Sequence, residues 1–68
     1  MYNKSGLSPI EIKILQLVAE GMDNVEIANT LYISRHTVKA HLTSAYRKLD
    51  ASNRANAVYV AMKKQYIN

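Results

Sequence analysis

The stretch from Ser34 to Leu49, SRHTVKAHLTSAYRKL, decides how the chain is organised. At ~100° per residue, Val38, Leu42, Ala45 and Leu49 fall on one narrow apolar face of a helix. His36, Lys39, Ala40, Thr43 and Arg47 fall on the far side. A solvated helix face more often carries acidic and basic residues in i,i+4 pairs, yet no Asp or Glu occurs in this stretch. A helix that is apolar inside and basic, acid-free outside suits a groove lined by phosphates. Ser34 is its natural N-cap.

Upstream lies Asp23-Asn24-Val25-Glu26, a capping box that starts a short helix from about Asn24 to Leu31. Tyr32-Ile33-Ser34 joins it to the next helix, too few residues for an antiparallel return. Ala28, small at the crossing, permits close approach, and Ile27, Leu31, Ile33 and Val38 fill the wedge. This is a helix-turn-helix layout, in which the second helix enters the major groove. Tyr32 stands where many such units have glycine, so a slightly different turn is expected.

Further upstream, Ser8-Pro9-Ile10-Glu11 combines a cap, a first-turn proline and a capping box. The first helix should run from Pro9 to about Glu20, with Gly21 as its stop. Ile10, Ile14, Leu17 and Val18 share a face; Ile12 and Leu15 lie off it, so cover on more than one side is expected. Downstream, Ser52 is the expected cap of a fourth helix, with Asn53 the alternative, and the helix should reach about Gln65. Arg54, Ala57, Val58 and Ala61 share one side of it. Ala55, Tyr59, Met62 and Tyr66 form a second stripe about 110° away. The fold class is therefore all-α: a compact four-helix domain with a helix-turn-helix formed by helices 2 and 3. Residues 1–6 are expected to be disordered and residues 7–67 to form the domain.

Charge separates along the chain. Up to Ile33 the formal charge is −2; from Ser34 onward it is +6, which together give the net +4. Such asymmetry points to a polyanionic partner on one side. The 68 residues include no cysteine, so neither a disulfide framework nor a thiolate metal site is available. No run approaches the ~20 apolar residues of a membrane span, and the N-terminus lacks a signal-peptide core. His36 and His41 project ~140° apart and cannot share a metal. No cofactor is expected. An enzyme is disfavoured as well: there is no glycine-rich phosphate loop, and Ser44 has no acidic orienter nearby in sequence.

Several short pieces, in order and at these spacings, resemble the LuxR/FixJ-type DNA-binding domain at the C-terminus of many bacterial response regulators and quorum-sensing regulators. They are Leu7-Ser8 with Glu11; Gly21 with Asn24, Glu26, Ile27 and Ala28; Ile33-Ser34 with Thr37, Val38, Lys39 and His41; Lys48-Leu49; and Asn53-Arg54 with Ala57-Val58. The resemblance covers about Leu7 to Ile67. It implies that Lys39, Ala40 and Thr43 face bases in the major groove. It implies phosphate contacts from Ser34, Arg35, Thr37 and Asn24, and a homodimer contact on the last helix, on the stripe of Ala55, Tyr59, Met62 and Tyr66. Ile10 and Lys13 depart from the family's usual arginine and glutamate, and Asp23 replaces a common serine while still able to cap.

Within that frame each side chain has a chemical role. Lys39 can donate to guanine O6 and N7, Ala40 can pack on a thymine methyl, and Thr43 can bond a base or a bridging water. His36 could touch base or backbone near the helix start. Arg35 and Arg47 suit phosphates at the two ends of the helix, and Ser34 and Thr37 suit phosphate at its positive end. His41, about 60° from the centre of the apolar face, is expected as a buried, hydrogen-bonded structural histidine. The expected partners are double-stranded DNA carrying an inverted-repeat-like operator, a second copy of the chain, and RNA polymerase. The setting is the cytoplasm, on the nucleoid. The chain would be either the output domain of a longer regulator or a stand-alone one. Two alternatives remain: a domain like region 4 of a sigma factor, binding promoter and polymerase, and a protein-interaction module on the same scaffold.

Overall fold

Ser8 opens the first helix by satisfying two backbone donors reciprocally. Its Oγ accepts from the Glu11 N–H at 3.2 Å, and Glu11 Oε1 accepts from the Ser8 N–H at 2.8 Å. The computed structural model describes residues 6–68, and helix α1 runs Pro9–Ala19. Asp23 and Glu26 repeat the device at the start of α2, Asn24–Leu31, with both bonds at 2.9 Å. Ser34 caps α3, Arg35–Leu49. Helix α4 is Arg54–Lys63. Among the described residues there is no strand.

The fourth helix departs from expectation at both ends. Its cap is Asn53, not Ser52: Asn53 Oδ1 accepts from the Asn56 N–H at 2.8 Å, and Asn56 Oδ1 accepts from the Ser52 N–H at 3.1 Å. Capping at Asn53 puts Asn56 at the third helical position, where its side chain can reach back. At the far end the helix stops at Lys63, and Gln65 turns left-handed at φ 65°.

All four helices end the same way. The residue two past the last helical one, or one past it, turns left-handed, and the next N–H reaches back to a carbonyl five residues earlier: Met22 to Leu17, Ile33 to Ala28, Ala51 to Tyr46 and Tyr66 to Ala61, at 2.9–3.1 Å. These are Schellman closures. Only the first uses glycine, Gly21, at φ 96°; the others place Tyr32, Asp50 and Gln65 at φ 58°, 54° and 65°. The turn between α2 and α3 therefore keeps the backbone that glycine would supply. Tyr32 takes the strain, although its side chain is 93% exposed.

The core forms where α1 meets the other three helices. Ile14 and Leu15 are both fully buried, which confirms that α1 is covered on more than one side. Val38, Leu42, Ala45 and Leu49 bury the inner face of α3, and Ala57 and Ala61 that of α4. Ile27 and Ala28 of α2 are buried as well, so α2 packs closely on α3. Leu7 and Ile67 close the core near the chain's two ends. The expected disorder of residues 1–6 falls, for residues 1–5, outside the described residues. Gly6 is described, and its carbonyl accepts from Lys48 Nζ at 2.8 Å.

Candidate nucleic-acid interface

With its apolar face committed to the core, α3 presents its other side to solvent. A 15-residue helix is about 22 Å long, and its outer diameter of about 10–12 Å matches the ~12 Å width of a DNA major groove. His36, Lys39, Ala40 and Thr43 are all exposed and line one shallow hollow. A second, larger hollow lies between the beginnings of α2 and α3, lined by Asp23, Asn24, Val25, Ser34, Arg35, His36 and Lys39. The two share His36 and Lys39, so they form one continuous surface.

That surface brings together all four expected base-contact residues and three of the five expected phosphate contacts, Asn24, Ser34 and Arg35. Thr37 and Arg47 lie outside it: Thr37 is half-buried, and Arg47 is exposed farther along α3. Asp23 and Val25 line the surface although the sequence reading did not include them. The Asp23 carboxylate is occupied in capping, with Oδ1 2.9 Å from the Glu26 N–H.

Two helix N-termini open onto the larger hollow. The first N–H groups of α2 and α3 have no partner within their helices, and each N-terminus carries a partial positive charge. Arg35, Lys39 and Arg47 are exposed cations; among the described residues the one ion pair is Lys48 with Glu11, at 3.0 Å. The surface thus offers cations and backbone donors, and its one carboxylate, Asp23, makes no ion pair and is engaged by the Glu26 N–H.

Hydroxyl chemistry at the start of α3 is specific. Ser34 Oγ accepts from the Thr37 N–H at 3.0 Å and donates to Thr37 Oγ1 at 2.9 Å. The two hydroxyls therefore share one hydrogen bond inside the cap.

His41 behaves differently from expectation. It is half-buried, not buried, and its ring makes no hydrogen bond among the described residues; at the margin of the apolar face it meets solvent in place of a protein partner. Ser44, with no acidic residue near it in sequence, has one beside it in space, because the fold places Glu11 there. That carboxylate is held in its ionised form. Burial alone would raise its pKa, but the Ser8 N–H, the Ser44 hydroxyl and the Lys48 ammonium outweigh burial and hold it at about 2.

On α4, Ala55, Tyr59 and Met62 are exposed, Tyr59 at 59% and Met62 at 45%. The Lys63 ammonium lies 5.9 Å from the centre of the Tyr59 ring. Tyr66 departs from the expected stripe: the chain has left the helix before it, and Tyr66 is half-buried against the core.

The model of the family described as bacterial regulatory proteins, luxR family, matches residues 5–61. The chain belongs to this family. The LuxR-family chain is 42% identical over 62 residues to the transcriptional regulatory protein YdfI of Bacillus subtilis, covering 91% of this chain and 29% of that protein. It is 48% identical over 59 residues to the quorum sensing-dependent transcriptional regulator RpaR of Rhodopseudomonas palustris, covering 87% of this chain and 24% of that one. The crystal structure of ChrA, the response regulator of a heme-sensing two-component system, superposes with a TM-score of 0.89 at 39% identity, over 97% of this chain and 33% of ChrA. The chain spans a third or less of the length of each of these relatives. It is a transcriptional regulator DNA-binding domain, homologous to the output domains of response regulators. No described helix is long and apolar enough to cross a membrane.

Proposed function

We propose that α3 of this LuxR-family domain inserts into the major groove and reads a half-site with Lys39, Ala40, Thr43 and His36. The continuous surface formed by the two hollows is the observation that carries the reading. Its centre holds short side chains that allow close approach to base edges, with Lys39 long enough to reach guanine O6 and N7. Its edge holds Asn24, Ser34 and Arg35, placed with two helix N-termini to meet phosphates. Thr37 and Arg47 extend the phosphate contacts along the groove.

The same reading assigns the exposed Ala55, Tyr59 and Met62 face of α4 to a homodimer about a two-fold axis, so that two copies read an inverted repeat. Residues 7–67 form the DNA-binding domain, which works on the bacterial nucleoid in the cytoplasm as the output of a larger regulator, with RNA polymerase as a further partner. A module this small buries only ~600–1,000 Å² on DNA and binds weakly alone, which gives pairing its purpose.

Fluorescence anisotropy on a labelled duplex across a salt series tests the reading. Affinity should fall steeply with salt as phosphate contacts release counterions. A flat dependence would contradict it.

A further inference from the structure

Asn24, the first residue of α2, is tied to a residue 30 positions away in sequence. Its Oδ1 accepts from Arg54 Nη1 at 3.0 Å. The other terminal nitrogen of the same guanidinium, Nη2, donates to the Met22 carbonyl at 2.9 Å. Arg54 is the first residue of α4 and is half-buried. One guanidinium therefore holds both the connection between α1 and α2 and the side chain that begins α2.

The chemistry of this contact orients the amide. Arginine has donors and no acceptor, so the atom facing it must be the amide oxygen. The Asn24 NH2 is the end left over, and it makes no hydrogen bond among the described residues. Asn24 also lines the hollow shared with Ser34, Arg35, His36 and Lys39. A phosphate oxygen only accepts hydrogen bonds. An unrestrained asparagine must first turn its NH2 towards it, because the amide oxygen would repel it; an asparagine whose oxygen is already taken has its donors in place beforehand.

We propose that Arg54 is a positioning residue for DNA binding: it fixes the Asn24 amide so that the NH2 is offered to a DNA phosphate, without itself touching the DNA. The inference rests on the reading of the hollow as a phosphate-facing surface. It deepens that reading by extending the DNA-binding machinery to α4, outside the helix-turn-helix.

The test uses the full chain and a labelled mixed-sequence duplex at low salt, with thermal melting of each variant alongside. Asn24→Asp keeps an oxygen for Arg54 but replaces the NH2 with a second oxygen. Its melting temperature should be unchanged or higher, and its affinity for the duplex should fall by about tenfold or more. Arg54→Met should weaken binding about fivefold when Asn24 is present and cause no further loss on an Asn24→Ala background. Unchanged affinity of Asn24→Asp would overturn the proposal, as would an equal loss from Arg54→Met on both backgrounds, because Arg54 would then act without Asn24. Should Arg54→Met fail to fold, Arg54→Lys takes its place in the same pair of backgrounds, since a lysine cannot hold the Asn24 oxygen and the Met22 carbonyl with a planar fork. Absence of salt-sensitive duplex binding by the wild-type chain would refute the underlying surface reading; binding that survives Asn24→Asp refutes only the role of Arg54.

Discussion

The Lys48 ammonium, near the end of α3, lies 3.0 Å from the Glu11 carboxylate in the first turn of α1, and 2.8 Å from the Gly6 carbonyl. This contact ties the end of α3 to the first turn of α1 and to the backbone just before it. The Glu11 side of the pair is almost fully buried while the Lys48 side chain is 35% exposed, so solvent reaches the cation but not the carboxylate. The carboxylate is nevertheless supported on several sides, by the Ser8 N–H, the Ser44 hydroxyl and Lys48.

Acid should therefore loosen the domain through Glu11. Its pKa in the folded state, about 2, lies below the ordinary 4.5. The stabilisation is present above about pH 4.5 and is lost as pH falls towards 2, to a total of roughly 3 kcal/mol. Urea unfolding of wild type and Glu11→Gln between these limits measures it. The gap between the two proteins should narrow as the pH falls; a gap independent of pH contradicts this origin.

Tyr32 should be replaceable with a gain in stability. Its backbone is left-handed and its side chain is 93% exposed, so the strain is not offset by burial. Glycine relieves the strain while adding some unfolded-state entropy, for a net gain of up to about 1 kcal/mol. In a domain of this size that raises the melting temperature by about 4–8 °C. A lower melting temperature for Tyr32→Gly would mean that the tyrosine makes a stabilising contact.

Much of this architecture is legible in the sequence because it is local. The caps at Ser8, Asp23 and Ser34 are followed at three residues by the groups that complete them, and the apolar spacing of α3 dictates which face is left outward. What escaped reading is non-local or lacks a distinctive residue type. Glu11 was recognisable as a capping residue but not as the partner of Lys48, 37 positions away. Asn24 was recognisable as an interface residue, but no periodicity announces its bond to Arg54. The end of α4 was placed too late because the left-handed turn falls on Gln65, a residue that gives no warning of it, and this removed Tyr66 from the helical stripe.

Lys39→Ala should weaken binding to a selected site by ~1–3 kcal/mol and relax the preference at one base position. Competition with duplexes altered one base pair at a time detects this. An equal loss on every sequence would assign Lys39 to the backbone instead.

Tyr59→Arg combined with Met62→Glu should abolish the advantage of paired half-sites. The two changes leave the net charge unaltered, so affinity for a single half-site should stay within about twofold, and the exposed positions leave the core intact. Sedimentation at high concentration supplies the second reading. Identical profiles and identical paired-site affinity for wild type and variant would remove α4 as the pairing surface.

The most direct measurement is selection of bound sequences from a random duplex pool, carried out at two salt concentrations. The account predicts salt-sensitive enrichment of a roughly palindromic motif, whose half-sites lie one helical turn, about 34–36 Å, or a multiple of it apart. Absence of binding even at the lower salt concentration, or binding that enriches no sequence at all, would contradict the claim that the outer face of α3 reads DNA.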